Sequence, residues 1–452
     1  MLPTKPTQTT LTGLSGWGRY PRADQVVERP EKACQLGLNE GQTLARGQGR
    51  SYGDAALNSA GHVILTERLN RFLEFDPVTG VLHAEAGATL KDVLDAMVPQ
   101  GWFPPVTPGT KYSSLGGCVA ADIHGKNHHH DGSFGEHVTE LTLVDKGGER
   151  VRCSPTERPE LFWATVGGMG LTGIIESVAF KMQPIETAYM RVKHRRAGNL
   201  EVTFNLMENE AFDDQYSVCW IDCLARGKRM GRSVLMTGHH AAKAEVPLMA
   251  HDPLRIKPGR VKSFKRDWPR FMLNRMAIRM FNARFYWREG RRGQFLCDYN
   301  DYFYPLDRIE NWNRMYGKRG FVQYQFVVPK HRARSGIGRA LDMISRSGKA
   351  SFLAVLKRFG PESKGMLSFP QEGYTLALDM PLSNDLMDFL EKLDEAVLEH
   401  EGRVYLAKDA RLPAETFRAM YPRLDEFMSV KHDVDPENRF TSDMARRLEI
   451  SP

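Results

Sequence analysis

The sequence predicts an α+β fold, on three observations. Residues 30–185 read as short strands and mixed units separated by many glycine turns. Residues 321–328 (FVQYQFVV) alternate with period two, as a half-buried strand does. Residues 383–401 (SNDLMDFLEKLDEAVLEHE) carry an apolar stripe of helical period formed by Leu386, Phe389, Leu390, Leu393 and Val397. The 452 residues allow three domains or two larger ones, and 41% apolar against 26% charged residues argues for real cores.

The elements follow in order. Residues 61–65 (GHVIL) and 80–86 (GVLHAEA) are expected as strands between turns. In TLKDVLDAMVPQG, Leu90, Val93, Leu94 and Met97 share one helix face. Thr89 is the expected cap, since its hydroxyl can accept from a first-turn amide that lacks a helical partner. Strands are expected again at 137–144 and 173–182, with the helix-like PELFWATVG between them. In 321–328 the alternation puts Gln323 and Gln325 on one face, and Ser383 is the expected cap of the helix after it. The chain shows no internal repeat, low-complexity tract or long linker.

Composition removes several classes. Six cysteines (Cys34, Cys118, Cys153, Cys219, Cys223, Cys297) without a Cys-x-x-Cys exclude a disulfide-dense scaffold. The opening MLPTKPTQTT lacks the apolar core of a secretory signal, and no run approaches a membrane span of about 18 apolar residues. The expectation is a soluble, cytosolic protein, at most peripheral to a membrane.

Charge is concentrated. Residues 255–292 hold thirteen basic residues against Asp267 and Glu289, a local +11 in a chain of net +7, so the remainder sums to −4. Phe264, Trp268, Phe271, Met272, Met276, Ile278, Met280, Phe281, Phe285, Tyr286 and Trp287 are interleaved with them. Such a segment suits a membrane surface carrying lipid phosphates, or a nucleic acid, or a buried helix with solvated ends. At 100° per residue its arginines are not expected to gather on one face.

Four motifs carry candidate chemistry. GMGLTG (168–173) matches a dinucleotide fingerprint literally, but a helix pattern precedes it and a strand pattern follows, the reverse of the required order. It is read as a turn that lets backbone approach something bulky and flat. RGQGRSYGD (46–54) is a second glycine loop, either a pyrophosphate-cradling nest or a tight turn. In TPGTKYSSLGGCVAADIHGKNHHHDGSFGEH (107–137) His124, His128, His129, His130 and His137 suggest a metal, yet no ligand spacing supports one. The alternatives are a polar loop, or an extended segment on which His124 and Lys126 grip an anionic or hydroxylated substrate. In RVYLAKDAR (403–411), Lys408 is either a surface lysine or, if buried, a general base.

The order RGQGRSYGD, PGT, GG, DIHGKNHH, GSFG, LFWATVGG and GLTGII resembles vanillyl-alcohol-oxidase-type FAD flavoproteins. WNRMYG, GFVQYQFVVP, SFLAVLKRFGP, LSFP, YLAKDAR, ETFRAMYPR and SDMARRLE extend the likeness, over essentially the whole chain, to the decaprenylphosphoryl-β-D-ribose 2-oxidase family.

The resemblance implies a two-domain α+β fold. Residues 1–187 would bind FAD, 188–402 would form an antiparallel-sheet substrate domain, and 403–452 would complete the first. It places the pyrophosphate at Arg46, Gly47, Gly49, Arg50, Ser51, Tyr52, Gly53 and Asp54. Further cofactor contacts would come from Gly109, Thr110, Ser114, Gly116, Gly117, Cys118, Ala121, His124, Gly125 and Asn127, then from Gly170, Thr172, Gly173, Ile174 and Tyr405. The substrate pocket would hold Tyr52, His124, Lys126, Trp220, Tyr316, Gln323, Gln325, Lys357, Thr375, Ala377 and Lys408, and no metal.

Many superfamily members attach FAD through a histidine where this chain has Arg50, so the flavin is expected to be dissociable. Some close relatives carry a pocket cysteine at Ala377 and an Asn at Thr375, so thiol-reactive trapping is expected to fail here and sugar contacts to differ. The implied reaction oxidises the 2-hydroxyl of a polyprenyl-phosphoryl ribose to a 2-keto sugar. Lys408 would be the base or proton relay and His124 an orienting group, and a separate NAD(P)H-dependent reductase would complete epimerisation to arabinose. The alternative is an oxidase of a soluble sugar, alditol or aldonolactone. Nucleic acid is the partner least expected.

Overall fold

The computed structural model describes residues 7–37, 41–209, 214–246, 252–257, 259–269, 273–349, 351 and 353–450. Arg270, Phe271 and Met272 of the basic segment, and the first six residues of MLPTKPTQTT, lie outside these.

The fold is α+β, with three principal sheets. In the first, the order is Thr9–Ser15, Arg22–Glu28, His62–Leu65, Thr43–Arg46. The second is antiparallel, in the order Phe72–Asp76, Val81–Glu85, Ile174–Lys181, Val138–Val144, Arg150–Cys153. The helix Leu90–Met97 opens with the expected cap: Thr89 accepts from the Asp92 amide and Asp92 reaches back to the Thr89 amide at 2.9 Å. Pro159–Thr165 is a helix and Ile174–Lys181 a strand, so GMGLTG is a helix-to-strand turn.

The third sheet has eight antiparallel strands, in the order Gln294–Asp298, Tyr189–Ala197, Ser233–His240, Tyr216–Ile221, Ala354–Phe359, Gly373–Pro381, Phe321–Pro329, Arg403–Val404. One face is apolar. Leu356, Leu376, Leu378, Tyr324 and Phe326 bury there with Ile337, Leu341 and Ile344 of the helix Ala333–Ser347 and with Leu386, Leu390 and Leu393 of Leu386–Glu399. Ser383 does not cap that last helix. Its hydroxyl turns to the Asp385 carboxylate at 2.7 Å, and the helix starts two residues later than expected.

The C-terminal residues return to the first sheet. Phe440 bridges Thr43, and the Thr43 amide donates to the Arg439 carbonyl at 2.6 Å. Arg447 grips both Asp54 oxygens at 2.8 and 2.7 Å and reaches Asp409 at 2.9 Å.

The basic segment contributes a surface helix, Arg275–Glu289, capped by Asn274, whose side chain accepts from the Ala277 amide. Asn282 fastens it to the big sheet by donating to Asp222 at 2.7 Å, and Phe285 lies 4.6 Å from the Trp220 ring. As the sequence suggests, the arginines do not gather on one face: at 100° per residue Arg275 and Arg279 fall opposite Arg284 and Arg288. Arg284 and Arg288, with Arg291 just beyond the helix, bound one open groove of about 410 Å³ with Trp287. Among the described residues no helix is long and apolar enough to cross a membrane.

Candidate active site

Register assembles the site. Across the big sheet, Trp220 pairs with Val355, Val355 with Ala377, and Ala377 with Gln325. Two residues along, Lys357 pairs with Thr375, and Asp379 pairs with Gln323. Because side chains alternate along strands, Trp220, Lys357, Thr375, Ala377, Asp379, Gln323 and Gln325 share the face opposite the apolar core. Gln323 and Gln325 lie on one face, as the alternation predicts.

Two distant loops close over this face. The Tyr52 amide donates to the Ala407 carbonyl at 2.9 Å. A Cβ on Gly53 would sit 1.6 Å from the Asp409 carbonyl oxygen, so only glycine permits this approach. The Tyr405 amide donates to the Gln325 carbonyl at 2.9 Å, and its hydroxyl donates to the Ala121 carbonyl at 2.8 Å. Lys408 thereby stands with its Nζ 3.9 Å from the centre of the Tyr52 ring.

His124 is buried among Phe359, Phe369 and Tyr405. Its Nε2 lies 3.0 Å from the Gln325 amide nitrogen and its Nδ1 lies 2.8 Å from Lys357 Nζ. An amide nitrogen only donates, so Nε2 accepts and the ring proton sits on Nδ1, facing the lysine. Burial, with Lys357 beside it, holds the imidazole well below its usual pKa and therefore neutral. Lys357 accepts that proton only as a free amine. Burial, aided by Lys408 and Lys126, pulls its pKa from 10.5 down to about 7.

Lys408 is likewise lowered to about 7 by burial, against a raising pull from Asp379. Lys126 falls to about 7 by burial, its ammonium bonded to the Tyr302 carbonyl and 4.0 Å over the Tyr302 ring. The three lysines are only partly exposed. A crowd of buried cations sheds protons at neutral pH, which makes bases of side chains that are normally acids.

The glycine loops fit a large cofactor. Among the described residues no amide from Gln48 to Ser51 has an acceptor, so that loop presents a run of free N–H groups suited to a pyrophosphate. Gly109 and Gly117 are exposed, and a Cβ on Gly109 or Gly170 would meet nothing within 4 Å. Ser114 caps the helix Leu115–Ala120, and Gly116 packs so closely that a Cβ would meet that of Ala86 at 2.9 Å. Arg50 lies 4.3 Å from the Trp17 ring centre and 5.1 Å from that of Tyr112, its Nε unpaired.

Other candidates are tied to partners within the protein. The Arg46 guanidinium donates to the Ala56 and Ser15 carbonyls at 2.8 and 2.6 Å, and the Asp54 carboxylate is taken by Arg447. Cys118 and Ile174 are buried, and burial pushes the Cys118 thiol up, away from reactivity. Thr172 shares a hydroxyl contact with Thr165 at 2.9 Å, Thr110 donates to Asp307 at 3.2 Å, and Asn127 donates to Pro105 at 2.8 Å. Gly125 is tight against Asn127 and Thr107, while Gly173 needs its φ of +148°. Thr375 accepts from Gln325 at 3.1 Å, and Ala377 stands opposite Gln325 with no thiol. The histidine run disperses. His128 accepts from the Gly360 amide at 3.1 Å, His129 reaches the Asp214 carbonyl at 3.1 Å, and His130 pairs with Asp131 at 2.9 Å.

Sequence reasoning missed Asp379. It is fully buried, with Gln323 donating to Oδ1 at 2.6 Å and Tyr316 to Oδ2 at 3.2 Å. Its signal was present: in GYTLALDMP the aspartate falls two residues after Ala377 and four after Thr375, on the same strand face.

A family model described as an FAD binding domain matches residues 31–154, and one described as D-arabinono-1,4-lactone oxidase matches residues 370–448. The decaprenylphosphoryl-beta-D-ribose oxidase of Mycolicibacterium smegmatis is 39% identical over 98% of this chain and 98% of its own. An uncharacterized protein of Streptomyces coelicolor is 34% identical over 80% of this chain and 99% of its own. The L-gulono-1,4-lactone dehydrogenase of Mycobacterium tuberculosis is 20% identical over 96% of this chain and 98% of its own. The protein is an FAD-dependent oxidoreductase of the vanillyl-alcohol-oxidase type. Within that class, it belongs to the decaprenylphosphoryl-β-D-ribose oxidase family.

Proposed function

We propose that the chain oxidises the 2-hydroxyl of a polyprenyl-phosphoryl-β-D-ribose to the 2-keto sugar, the first half of an epimerisation to an arabinose donor for surface glycans. The observation that carries this is the buried cluster of Lys408, Lys357, Lys126 and His124 beside FAD-type glycine loops, in a chain 39% identical to an enzyme named for that substrate. Residues 1–187 with 403–452 serve FAD, and residues 188–402 serve the substrate.

FAD, held without a covalent link by the loops at 46–54, 109–117 and 170–174, supplies a two-electron acceptor. Lys408, as a neutral amine, takes the proton of the hydroxyl, within about 3 Å or through one water. His124, fixed by Gln325 and Lys357, orients the sugar, and Lys357 and Lys126 offer N–H donors to the phosphate. Tyr52, Tyr316, Trp220, Gln323, Thr375 and Ala377 shape the pocket. An NAD(P)H-dependent reductase then reduces the keto sugar.

A lipid-linked substrate also accounts for the helix Arg275–Glu289. Met276, Met280 and Trp287 are 64%, 67% and 50% exposed, and Arg284, Arg288 and Arg291 stand beside them. Apolar and aromatic side chains framed by arginines suit an anionic bilayer surface, and this helix adjoins Trp220 at the pocket. Peripheral contact with a bacterial inner membrane is the consequence.

A second reading, oxidation of a soluble sugar, alditol or aldonolactone, is favoured by the lactone-oxidase match at 370–448. Anaerobic mixing of the flavin-loaded protein with each substrate decides. Bleaching by polyprenyl-phosphoryl ribose alone supports the first reading; bleaching by a soluble polyol or lactone alone overturns it.

A further inference from the structure

Lys408, acting as base, gains a positive charge in a buried place, and a role for Asp379 in meeting that charge rests on this reading of the lysine. Asp379 is 0% exposed, and among the described residues it has no ion pair within 4.0 Å. A buried carboxylate without a paired cation is unfavourable, and such groups persist where they have a use. The titratable groups facing it are Lys408, Tyr52 and Tyr316. Burial raises both phenols well above their usual value, so Lys408 alone among them changes charge near neutrality.

The connections are specific. Gln323 donates to Asp379 at 2.6 Å. The Tyr52 ring lies 3.9 Å from Lys408 Nζ. Tyr316, which donates to the other carboxylate oxygen, stacks on Phe321 at 4.0 Å, and Phe321 meets the Tyr52 ring edge-on at 5.5 Å. Both carboxylate oxygens are thus fixed, and the same contacts fix the ring on which Lys408 rests.

We infer that Asp379 is a positioning residue for the oxidation: its carboxylate is the counter-charge for the proton arriving on Lys408, and through Tyr316 and Phe321 it holds Tyr52 against the resulting ammonium. As the substrate O–H bond breaks, its proton bonds to Lys408 Nζ. The C2–H bond breaks with its electron pair going to FAD, the oxidant, and the alcohol carbon becomes a ketone. The positive charge created on Lys408 is met by Asp379 rather than by water. Burial pushes the Asp379 carboxyl up to about 7 while Gln323, Lys408 and Tyr316 pull it down, so its charge responds to that of the lysine.

The test uses the FAD-loaded enzyme with two readouts. One is flavin reduction by polyprenyl-phosphoryl ribose across pH, and the other is direct titration of the Lys408 side chain by NMR of isotope-labelled lysines. Removing the carboxylate charge in Asp379→Asn makes the ammonium less favourable, so the Lys408 titration and the rising limb of the rate should both move acidward by about one pH unit. Tyr316→Phe weakens the carboxylate's hold on its charge and should move both the same way by about half as much. A structural role alone would leave the lysine titration in place. Unmoved titration and limb in Asp379→Asn, with Lys408→Ala inactive, overturn this inference and spare the base. Full flavin reduction in Lys408→Ala overturns both. If Asp379→Asn does not retain FAD, an unmoved lysine titration in Tyr316→Phe overturns the inference.

Discussion

Two regions of this molecule concentrate positive charge, and they do so to opposite ends. In the pocket, Lys126, Lys357 and Lys408 are enclosed, and burial brings each from 10.5 to about 7. At the end of the helix Arg275–Glu289, Arg284, Arg288 and, just beyond it, Arg291 border an open groove. Lysine surrenders its proton when desolvated, whereas arginine keeps its charge under nearly all conditions. The choice of cation and its depth therefore decide between proton transfer and anion attraction. The bulk figure of +7 cannot show this.

The sharpest way to break the contrast is to remove the pocket amine. Lys408→Ala should slow flavin reduction by substrate by a factor on the order of 1,000 while FAD stays bound, as stopped-flow absorbance would show. Next comes charge on the helix. Replacing Arg284, Arg288 and Arg291 together with Glu should weaken binding to anionic vesicles by roughly 100-fold, at about 1 kcal/mol per basic residue, without changing the flavin spectrum. Unchanged sedimentation with vesicles would remove the membrane role from this helix.

A smaller effect separates buried from exposed lysine. Lys408 works as the neutral amine, so reduction should rise with pH through about 7 and level off above, falling about tenfold per unit below it. A rise near 10.5 would mean that the lysine is not enclosed as the structure places it. Smallest of all, Thr89→Ala removes a cap remote from both regions. It should cost about 1 kcal/mol in denaturant unfolding and leave both cationic regions intact.

Local features were legible in the sequence. The Thr89 cap and the stripe Leu90, Val93, Leu94 and Met97 depend on contacts three or four residues apart, and the Gln323–Gln325 face depends on strand alternation alone. The reversed element order around GMGLTG was readable for the same reason. Contacts across long separations were not. Nothing local announces that Asp54 meets Arg447, or that Asp379 lies under the lysine of another segment. Ser383 failed as a cap because Asp385, two residues on, competes for its hydroxyl. The arginine groove was not legible because Arg291, past the end of the helix, joins Arg284 and Arg288 only in the folded chain.

The seam where Gly53 meets the Asp409 carbonyl and Tyr52 meets Ala407 carries a consequence for biosynthesis. Its two sides are separated by about 350 residues of chain, and a growing polypeptide makes one long before the other. The first sheet and its glycine loops can form while the nascent chain is still being extended, but the Tyr52 amide lacks its Ala407 acceptor and the Tyr52 ring lacks Lys408 until residues 405–411 have been synthesised. The oxidising centre is therefore among the last parts of the molecule to come into being, and a chain released early carries the loops without the chemistry.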